Sequence, residues 1–180
     1  AIPDAEPKVE PYSTRANRPY VVFGKTYTPI IAEVPLRQRG IGSWYGKKFH
    51  GQKTSSGERY DMYRMTAAHP TLPIPSYVRV TNLVNGNQII VRVNDRGPFH
   101  SDRIIDLSYT AALKLGYLGK GSGELEIERL LPADIVRIQS EKQSGIEMPQ
   151  QHSQLQSQPA ELALPAIAAS SPPEPGASNA

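Results

Sequence analysis

Two runs of alternating apolar and polar residues, joined by an Asn-Gly pair, constrain most strongly what this chain can fold into. Residues 77–83 alternate valines with polar side chains, Asn85-Gly86 follows, and residues 88–94 continue the alternation. Asn-Gly between two such runs is the strongest short-range signal for a two-residue β-hairpin. Residues 123–130 alternate again, with Leu125 and Ile127 on one face. The pattern predicts a mainly β domain whose strands each bury one side.

One helix is indicated between Ser108 and Gly116. Ser108 has the side chain of an N-cap, apolar residues follow at helical spacing, and Gly116 is a typical C-terminal stop. A shorter helical turn is predicted near residues 61–65. Short strands with one inserted helix indicate a compact β-barrel.

Composition divides the chain into three parts. Residues 1–36 are rich in proline and contain one extended motif, in which Gly24-Lys25 is predicted to turn a hairpin, so we expect an extended arm laid on the domain. Residues 37–137 carry the strand pattern and are predicted to form the barrel domain. Residues 138–180 are rich in Gln, Ser, Ala and Pro, and are predicted to be a disordered linker.

Composition also excludes several classes of function. The sequence has no cysteine, which rules out a disulfide framework, a Cys-ligated zinc site and a thiol nucleophile. The net charge is only +3 and the basic residues are dispersed, so no nucleic-acid partner is predicted. Histidines lack metal-ligand spacing, and neither a metal nor a cofactor is predicted. Without a membrane-length apolar run or a signal peptide, we expect either a cytosolic protein or a trimmed exported one.

Polar residues gather in clusters that separate the strand-like runs. The clusters are SWYG (43–46), TSSGE (54–58), AAH (67–69), VNDRGP (93–98) and IIDLS (104–108). Binding and catalytic residues are concentrated on connections that a rigid scaffold positions. The sequence therefore predicts a polar site on the connections of a small β scaffold.

Asp95 is the first candidate for a catalytic group. It ends a predicted buried strand and enters a turn that Gly97-Pro98 makes sharp. A carboxyl there can be half-buried and still reach a ligand, which suits a general acid. The alternative is an Asx-turn or a structural Asp–Arg pair, and the spacing leaves both interpretations open.

Three more polar residues accompany Asp95. Glu58 and Asp61 are three positions apart and are predicted to share one face of a turn, where they would orient a sugar or set the charge state of Asp95. The alternative is a solvated acidic loop with capping duties. His69 would hydrogen-bond a substrate or a carboxylate, or would be a core histidine whose bonds are satisfied internally.

Aromatic and basic residues of the clusters also have two interpretations each. Trp44 and Tyr45 would form a stacking platform for the C–H face of a sugar ring, or Trp44 would anchor the core. Arg92, Arg96 and Arg103 would fix acidic groups of a ligand, or would pair with internal carboxylates.

Taken in this order, SWYG, TSSGE, TAAHPTLP, VTNL-x-NG, NDRGP and RIIDLS closely resemble the rare lipoprotein A family. The resemblance covers roughly residues 37–131. It implies a six-stranded double-psi β-barrel, shared with expansins and some bacterial lytic transglycosylases. One or two short helices, the N-terminal arm and the disordered C-terminal tail would complete the fold.

The resemblance implies an enzyme, an endolytic peptidoglycan lytic transglycosylase of the lyase class. Such an enzyme cleaves MurNAc–GlcNAc bonds without water, leaves 1,6-anhydro-MurNAc ends and prefers glycan that lacks stem peptides. The functional residues of the family fall here on Asp95, Glu58, Asp61 and His69, which are predicted to be the catalytic group. The predicted substrate-binding residues are Trp44, Tyr45, Ser56, Asn94 and Arg96. The alternative is a non-catalytic, expansin-like peptidoglycan-binding module or a septal scaffold.

The resemblance further implies a location and partners. Members of the family are lipoproteins with a lipidated N-terminal cysteine, on the periplasmic face of the bacterial outer membrane and enriched at the division septum. Many carry a C-terminal SPOR domain, to which residues 138–180 would lead. We therefore expect peptidoglycan glycan strands and septal ring proteins as partners, no nucleic acid, and membrane attachment only through a lipid anchor that this sequence lacks.

Overall fold

The computed structural model describes residues 2–145. The chain divides into two units, residues 1–139 and 140–180, and the second is described only over residues 140–145. The strands are β1 (Tyr20–Val22), β2 (Lys25–Tyr27), β3 (Arg37–Trp44), β4 (Thr66–Ala68), β5 (Ser76–Asn82), β6 (Gln88–Asp95), β7 (Arg103–Leu107) and β8 (Ser122–Leu130). The helices are α1 (Tyr109–Leu115) and α2 (Pro132–Gln143), with short 3-10 turns at Lys47–Phe49 and Leu118–Lys120.

Strands β3 to β8 form a closed barrel in the order β3-β7-β4-β6-β5-β8. The pairs β3/β7 and β4/β6 are parallel, and the remaining pairs are antiparallel. Closure leaves the barrel without an open edge. The predicted mainly β, six-stranded double-psi barrel with one or two helices is thereby confirmed, although only the first of its two helices lies where it was predicted.

The alternating runs bury one side of each strand, as predicted. In the register of β5 and β6, Val78 lies opposite Val91 and Val80 opposite Ile89, and all four are almost fully buried. Opposite residues of paired strands point to the same face of a sheet, so these side chains share the interior. Leu125 and Ile127 of β8 are also fully buried, which confirms the predicted face of that strand.

The hairpin between β5 and β6 is confirmed, but the predicted two-residue turn is wrong. The connection spans residues 83–87, because asparagine side chains build a longer loop. Asn82 Oδ1 accepts a hydrogen bond from Val84 N at 2.9 Å, and Asn85 Oδ1 accepts one from Asn87 N at 2.9 Å. Gly86 supplies the positive φ of +80° that the loop requires.

Helix α1 begins and ends where the sequence predicts. Ser108 Oγ accepts a hydrogen bond from Ala111 N at 3.2 Å, and Gly116 adopts a left-handed conformation. The predicted helical turn near residues 61–65 is a non-helical turn, in which Arg64 N donates to Asp61 O at 3.0 Å.

The N-terminal arm lies along the barrel through backbone hydrogen bonds. Ala5 N donates to Ile90 O at 3.1 Å, and Ser13 N donates to Ile74 O at 2.8 Å. The hairpin β1/β2 turns at Phe23 and Gly24, which have φ angles of 50° and 78°. The turn therefore lies one residue earlier than Gly24-Lys25.

Helix α2 was missed by the sequence analysis. Ile135 is its buried residue and packs in a small cluster with Tyr77 and Leu130. The predicted domain boundary at residues 137/138 falls inside this helix, so regular structure extends to Gln143. The rest of the predicted linker, from residue 146 on, lies outside the described residues. Within residues 2–145, no helix combines the length and apolar character needed to cross a membrane.

Candidate active site

A cleft of about 190 Å³ opens where β4, β6 and β7 meet the loop that follows β3. Its lining residues are Tyr45, Phe49, Gln52, Lys53, Thr54, Tyr60, Ala68, Asp95, Arg96 and Asp106. The lining comes from several of the polar clusters, as expected for a site on the connections of a barrel. In the described part of the chain, no group of three acidic or histidine side chains is arranged to hold a metal ion.

Asp95 ends β6 and presents its carboxyl to this cleft. Its Oδ1 accepts hydrogen bonds from Ser55 N at 3.0 Å, Ser55 Oγ at 2.9 Å and Arg96 N at 2.8 Å. Its Oδ2 has no hydrogen-bond partner within residues 2–145. One carboxyl oxygen is thus anchored, while the other remains available to a ligand.

Residues 54–58 form the loop that anchors Asp95. Thr54 N donates to Glu58 O at 2.7 Å, and Ser56 N donates to Asn94 O at 3.2 Å, which ties the loop to β6. Ser56 Oγ, predicted to bind substrate, lies 2.9 Å from Thr54 Oγ1 and accepts from Glu58 N at 3.2 Å. The sequence analysis missed Ser55 as the partner of Asp95, since adjacent serines in a loop give no signal of which one points inward.

Glu58 is held by Arg92 and does not contact Asp95. Arg92 Nη1 donates to both carboxyl oxygens of Glu58, at 2.7 and 2.8 Å, and Asn94 Nδ2 donates at 3.1 Å. Burial raises the pKa of Glu58, but the hydrogen bonds from Arg92 and Asn94 outweigh it and hold the pKa below its usual value. Glu58 therefore carries a negative charge that Arg92 offsets.

Arg92 also binds the N-terminal arm. Its Nε donates to Glu10 Oε2 at 3.1 Å, so one guanidinium bridges an acid of the arm and an acid of the loop 54–58. Asn94, a predicted substrate-binding residue, is buried, and its side-chain amide serves Glu58. These contacts stabilise the loop beside Asp95.

Asp61 lies on a separate turn. Its Oδ1 accepts from Tyr63 N at 2.9 Å, and its Oδ2 lies 3.4 Å from Nε of Arg64. The structure does not bring Asp61 into contact with Asp95 or into the lining of the cleft. Its catalytic assignment stays a prediction.

His69 is only 1% exposed, and both ring nitrogens are used inside the protein. Nδ1 accepts from Thr71 N at 3.1 Å and from Leu72 N at 3.0 Å, so Nε2 carries the proton and donates to Gln38 Oε1 at 2.9 Å. Burial, with the nearby charge of Arg96, lowers the pKa of His69 to about 3. The geometry favours the core-histidine interpretation, and the catalytic assignment stays a prediction.

Arg96 points away from Asp95 into a set of backbone and side-chain acceptors. Its Nη1 donates to His69 O at 3.2 Å and to Leu72 O, and its Nη2 donates to Ala16 O at 3.1 Å and to Asn17 Oδ1 at 3.0 Å. The guanidinium joins the N-terminal arm to the loop after β4. Arg96 also lines the cleft, but its terminal guanidinium nitrogens are used inside the protein. Its assignment to substrate binding stays a prediction.

Aromatic rings form one wall of the cleft. The ring of Tyr45 lies 4.4 Å from that of Tyr60 and 6.3 Å from that of Phe49. Trp44, the neighbour of Tyr45 in sequence, packs against the hydrophobic core and edge-on to Tyr109 at 5.7 Å. Tyr45 is thus positioned to meet a ligand, whereas the geometry of Trp44 favours the core interpretation.

Asp106 is a cleft residue that the sequence analysis did not select. It lies in β7 between Ile105 and Leu107, both of which are fully buried. Its Oδ1 accepts from Ser43 Oγ at 2.6 Å, and its Oδ2 accepts from Arg103 Nη2 at 3.2 Å. A signal was present in the sequence, because an acid inside an apolar strand requires partners.

Comparison with known proteins agrees with this architecture. The sequence profile of the lytic transglycolase family matches residues 37–127, so the chain belongs to that family. A Pseudomonas aeruginosa protein named endolytic peptidoglycan transglycosylase RlpA is 60% identical over 131 residues, which are 73% of this chain and 38% of the relative. A Neisseria meningitidis protein of the same name is 53% identical over 148 residues, which are 82% of this chain and 62% of the relative.

The chain thus spans between about two fifths and three fifths of the length of these relatives. The resemblance to the rare lipoprotein A family is confirmed. Among solved structures, the expansin of Clavibacter michiganensis is similar over 52% of this chain and 50% of its own, with a TM-score of 0.42 and 16% identity.

Proposed function

We propose that this chain is the catalytic domain of an endolytic peptidoglycan lytic transglycosylase. The observation that carries the proposal is Asp95, whose Oδ1 is fixed by Ser55 and Arg96 while Oδ2 remains free in an aromatic-walled cleft. The names of the relatives support the same activity. The substrate would be the MurNAc–GlcNAc bond, in glycan that lacks stem peptides.

One positioned carboxyl is sufficient for this reaction. Asp95, protonated at Oδ2, donates its proton to the glycosidic oxygen as the bond from that oxygen to C1 of MurNAc breaks. The carboxylate that results accepts the proton of the C6 hydroxyl of the same MurNAc, whose oxygen bonds to C1. Asp95 ends protonated, the 4-hydroxyl of GlcNAc is released, and a 1,6-anhydro-MurNAc end is formed.

Attack by the C6 hydroxyl removes the need for a positioned water. A well-oriented group in the same molecule acts at an effective concentration of about 10⁵ M or more. Ordinary glycosidases instead use a second carboxyl to activate water or to attack. The Tyr45 ring, supported from behind by the buried Tyr60, would meet the sugar, and the loop 54–58 holds Asp95 through Ser55.

The location is also part of the proposal. Peptidoglycan lies outside the cytoplasmic membrane, so its enzyme would work on the periplasmic side. The family resemblance supports a lipid anchor in the outer membrane, septal enrichment and septal ring partners. Fluorescent fusions of the complete protein, imaged in dividing cells, would test that location: uniform fluorescence along the envelope would contradict it.

Product analysis tests the activity. Purified glycan stripped of stem peptides is digested, and the fragments are examined by mass spectrometry. We expect anhydro ends, about 18 Da lighter than hydrolytic ends. Reducing-end MurNAc as the main product would contradict the transglycosylase assignment, and binding without cleavage would favour the expansin-like module or scaffold.

A further inference from the structure

The cleft contains a second carboxyl that the reaction above does not use. Ala68 of β4 pairs with Asp95 of β6 on one side and with Asp106 of β7 on the other. Adjacent strands are about 4.8 Å apart, so the Cα atoms of the two aspartates are separated by roughly 9 to 10 Å. Both residues line the cleft together with Ala68, whose methyl group leaves the space between them open.

Asp106 is held rigidly as an acceptor. Ser43 Oγ and Arg103 Nη2 each donate to a different carboxyl oxygen, and the side chain is 15% exposed. Burial raises the pKa of Asp106, while the hydrogen bond from Ser43 and the charges of Arg103 and His100 lower it in part. Ser43 lies opposite Asp106 in the β3/β7 register, so the donor is fixed by the barrel itself.

We propose that Asp106 is a second catalytic carboxyl, which faces the sugar from the side of Ala68 opposite Asp95 and stabilises the positive charge that develops at C1. The inference rests on the proposed function. Asp106 neither donates nor accepts a proton, because Asp95 performs both proton transfers of the reaction. The contribution of Asp106 is electrostatic.

A fixed carboxylate suits this role. Cleavage of a glycosidic bond passes through an oxocarbenium-like transition state. A preorganised charge in a partly dry cleft stabilises such a state without any reorganisation at the moment of reaction. A purely structural Asp106 would require only the pair with Arg103, and would have no reason to line the same cleft as Asp95.

Kinetics of Asp106→Asn test the inference, since the amide keeps the shape and removes the charge. We expect kcat on stripped glycan to fall about 10² to 10³-fold, with KM changed less than about threefold. Asp102→Asn is the matched control, because Asp102 is exposed on the connection just before β7 and should retain the wild-type kcat. If Asp106→Asn had the wild-type kcat while Asp95→Asn was inactive, the role of Asp106 would be overturned and the proposed function would stand.

An inactive wild-type chain would overturn the proposed function, and this inference with it. Thermal unfolding and glycan binding of each variant show whether it is folded. If Asp106→Asn does not fold, the pH profile of Ser43→Ala decides instead, because that variant removes only one hydrogen bond from the carboxylate.

The pH profile separates catalysis from structure. The titratable groups that face Asp106 or share its cleft are Arg103, His100, Asp95, Arg96, Lys53, Tyr45, Tyr60 and Tyr117. The Ser43 hydrogen bond lowers the pKa of Asp106, so its removal raises that pKa. If the charged form is required, the acidic limb of kcat moves to higher pH in Ser43→Ala. An unmoved limb, with the plateau retained, would overturn the inference.

Discussion

Two polar clusters lie side by side at the ends of β4 and β6, and they differ in how fully their side chains are bonded. In the cleft, Asp95 keeps one carboxyl oxygen free. The neighbouring cluster, which we call the anchor, consists of His69 and Arg96. Both ring nitrogens of His69 are bonded, one to Gln38 of β3 and the other to the loop after β4. Both terminal guanidinium nitrogens of Arg96 are bonded to the arm and to the segment that follows β4. Acid–base chemistry requires a carboxyl oxygen that is free to meet the substrate, and Oδ2 of Asp95 supplies it in the cleft.

Residues of one sequence motif are divided between the cleft and the anchor. Asp95 and Arg96 are adjacent in NDRGP, yet their side chains have different partners, since Asp95 is the last residue of β6 and Arg96 is the first residue of the connection that follows. His69 and Ala68 differ in the same way, since Ala68 lines the cleft while His69 is buried in the anchor. A motif can therefore contain functional and structural residues in alternation.

Asp95→Asn should have the largest effect. The amide retains the acceptor for Ser55 and Arg96 but cannot donate or accept the proton, so we expect cleavage to fall at least about 10³-fold while glycan binding and the fold are retained. Release of anhydro fragments, followed by chromatography, is the measurement. A cleavage rate within tenfold of wild type would contradict the assignment of Asp95 as the group that transfers the protons.

Arg96→Met should mainly affect stability. The variant leaves buried carbonyls of Ala16, His69 and Leu72 without their donor, so we expect the free energy of unfolding to fall by about 3 to 5 kcal/mol. Urea denaturation measures it.

Arg64→Met is the matched control for Arg96→Met. Arg64 is largely exposed and pairs only with Asp61 on its turn, so less than about 1 kcal/mol should be lost. Equal losses in the two variants would show that the anchor contributes nothing special to the fold.

The sequence predicted those elements whose formation depends on residues that are close together in the chain. The alternation at residues 77–94 identified β5 and β6, and the pair Ser108 and Gly116 bounded α1, because strand period and capping chemistry act locally. Asp95 was selected because it ends a strand. The barrel closure came from the family resemblance, since strand order depends on contacts between distant parts of the chain.

The remaining features depend on neighbours that are remote in sequence. The hydrogen bond between the His69 ring and Gln38, and the place of Asp106 beside Ala68, appear only when the strands are paired. Helix α2 was missed because a single buried residue, Ile135, gives it almost no periodic pattern.

Glu58→Gln should have an intermediate effect on activity. The substitution weakens the contact with Arg92, so the loop that holds Asp95 through Ser55 becomes less fixed, and we expect kcat/KM to fall roughly tenfold. Steady-state cleavage of stripped glycan is the measurement. A loss as large as that of Asp95→Asn would mean that Glu58 itself takes part in proton transfer.

Glu10→Gln serves as the control for that variant. It weakens the other side of the Arg92 bridge and leaves Glu58 in contact with Arg92. We expect kcat/KM within about threefold of wild type. A larger loss than in Glu58→Gln would mean that the arm, and not the loop 54–58, controls Asp95.

The anchor should also give the free energy of unfolding a dependence on pH. Unfolded His69 binds a proton below its ordinary pKa of 6.5, whereas the folded residue has a pKa of about 3. Between these values protons favour the unfolded chain, so His69 should lower the free energy of unfolding by about 1.4 kcal/mol for each pH unit of acidification. Denaturation of wild type and His69→Asn from pH 6 to 4 should differ by this slope. Parallel curves would show that His69 titrates normally.

The contrast between cleft and anchor is tested most directly by nuclear magnetic resonance. A short glycan fragment is titrated into the ¹⁵N-labelled chain, and amide and histidine-ring shifts are followed. We expect the largest shift changes at Ser55, Ala68, Asp95 and Asp106, with the ring nitrogens of His69 unmoved. Changes centred on Ala16, Asn17 and the His69 ring, with the cleft silent, would contradict this contrast.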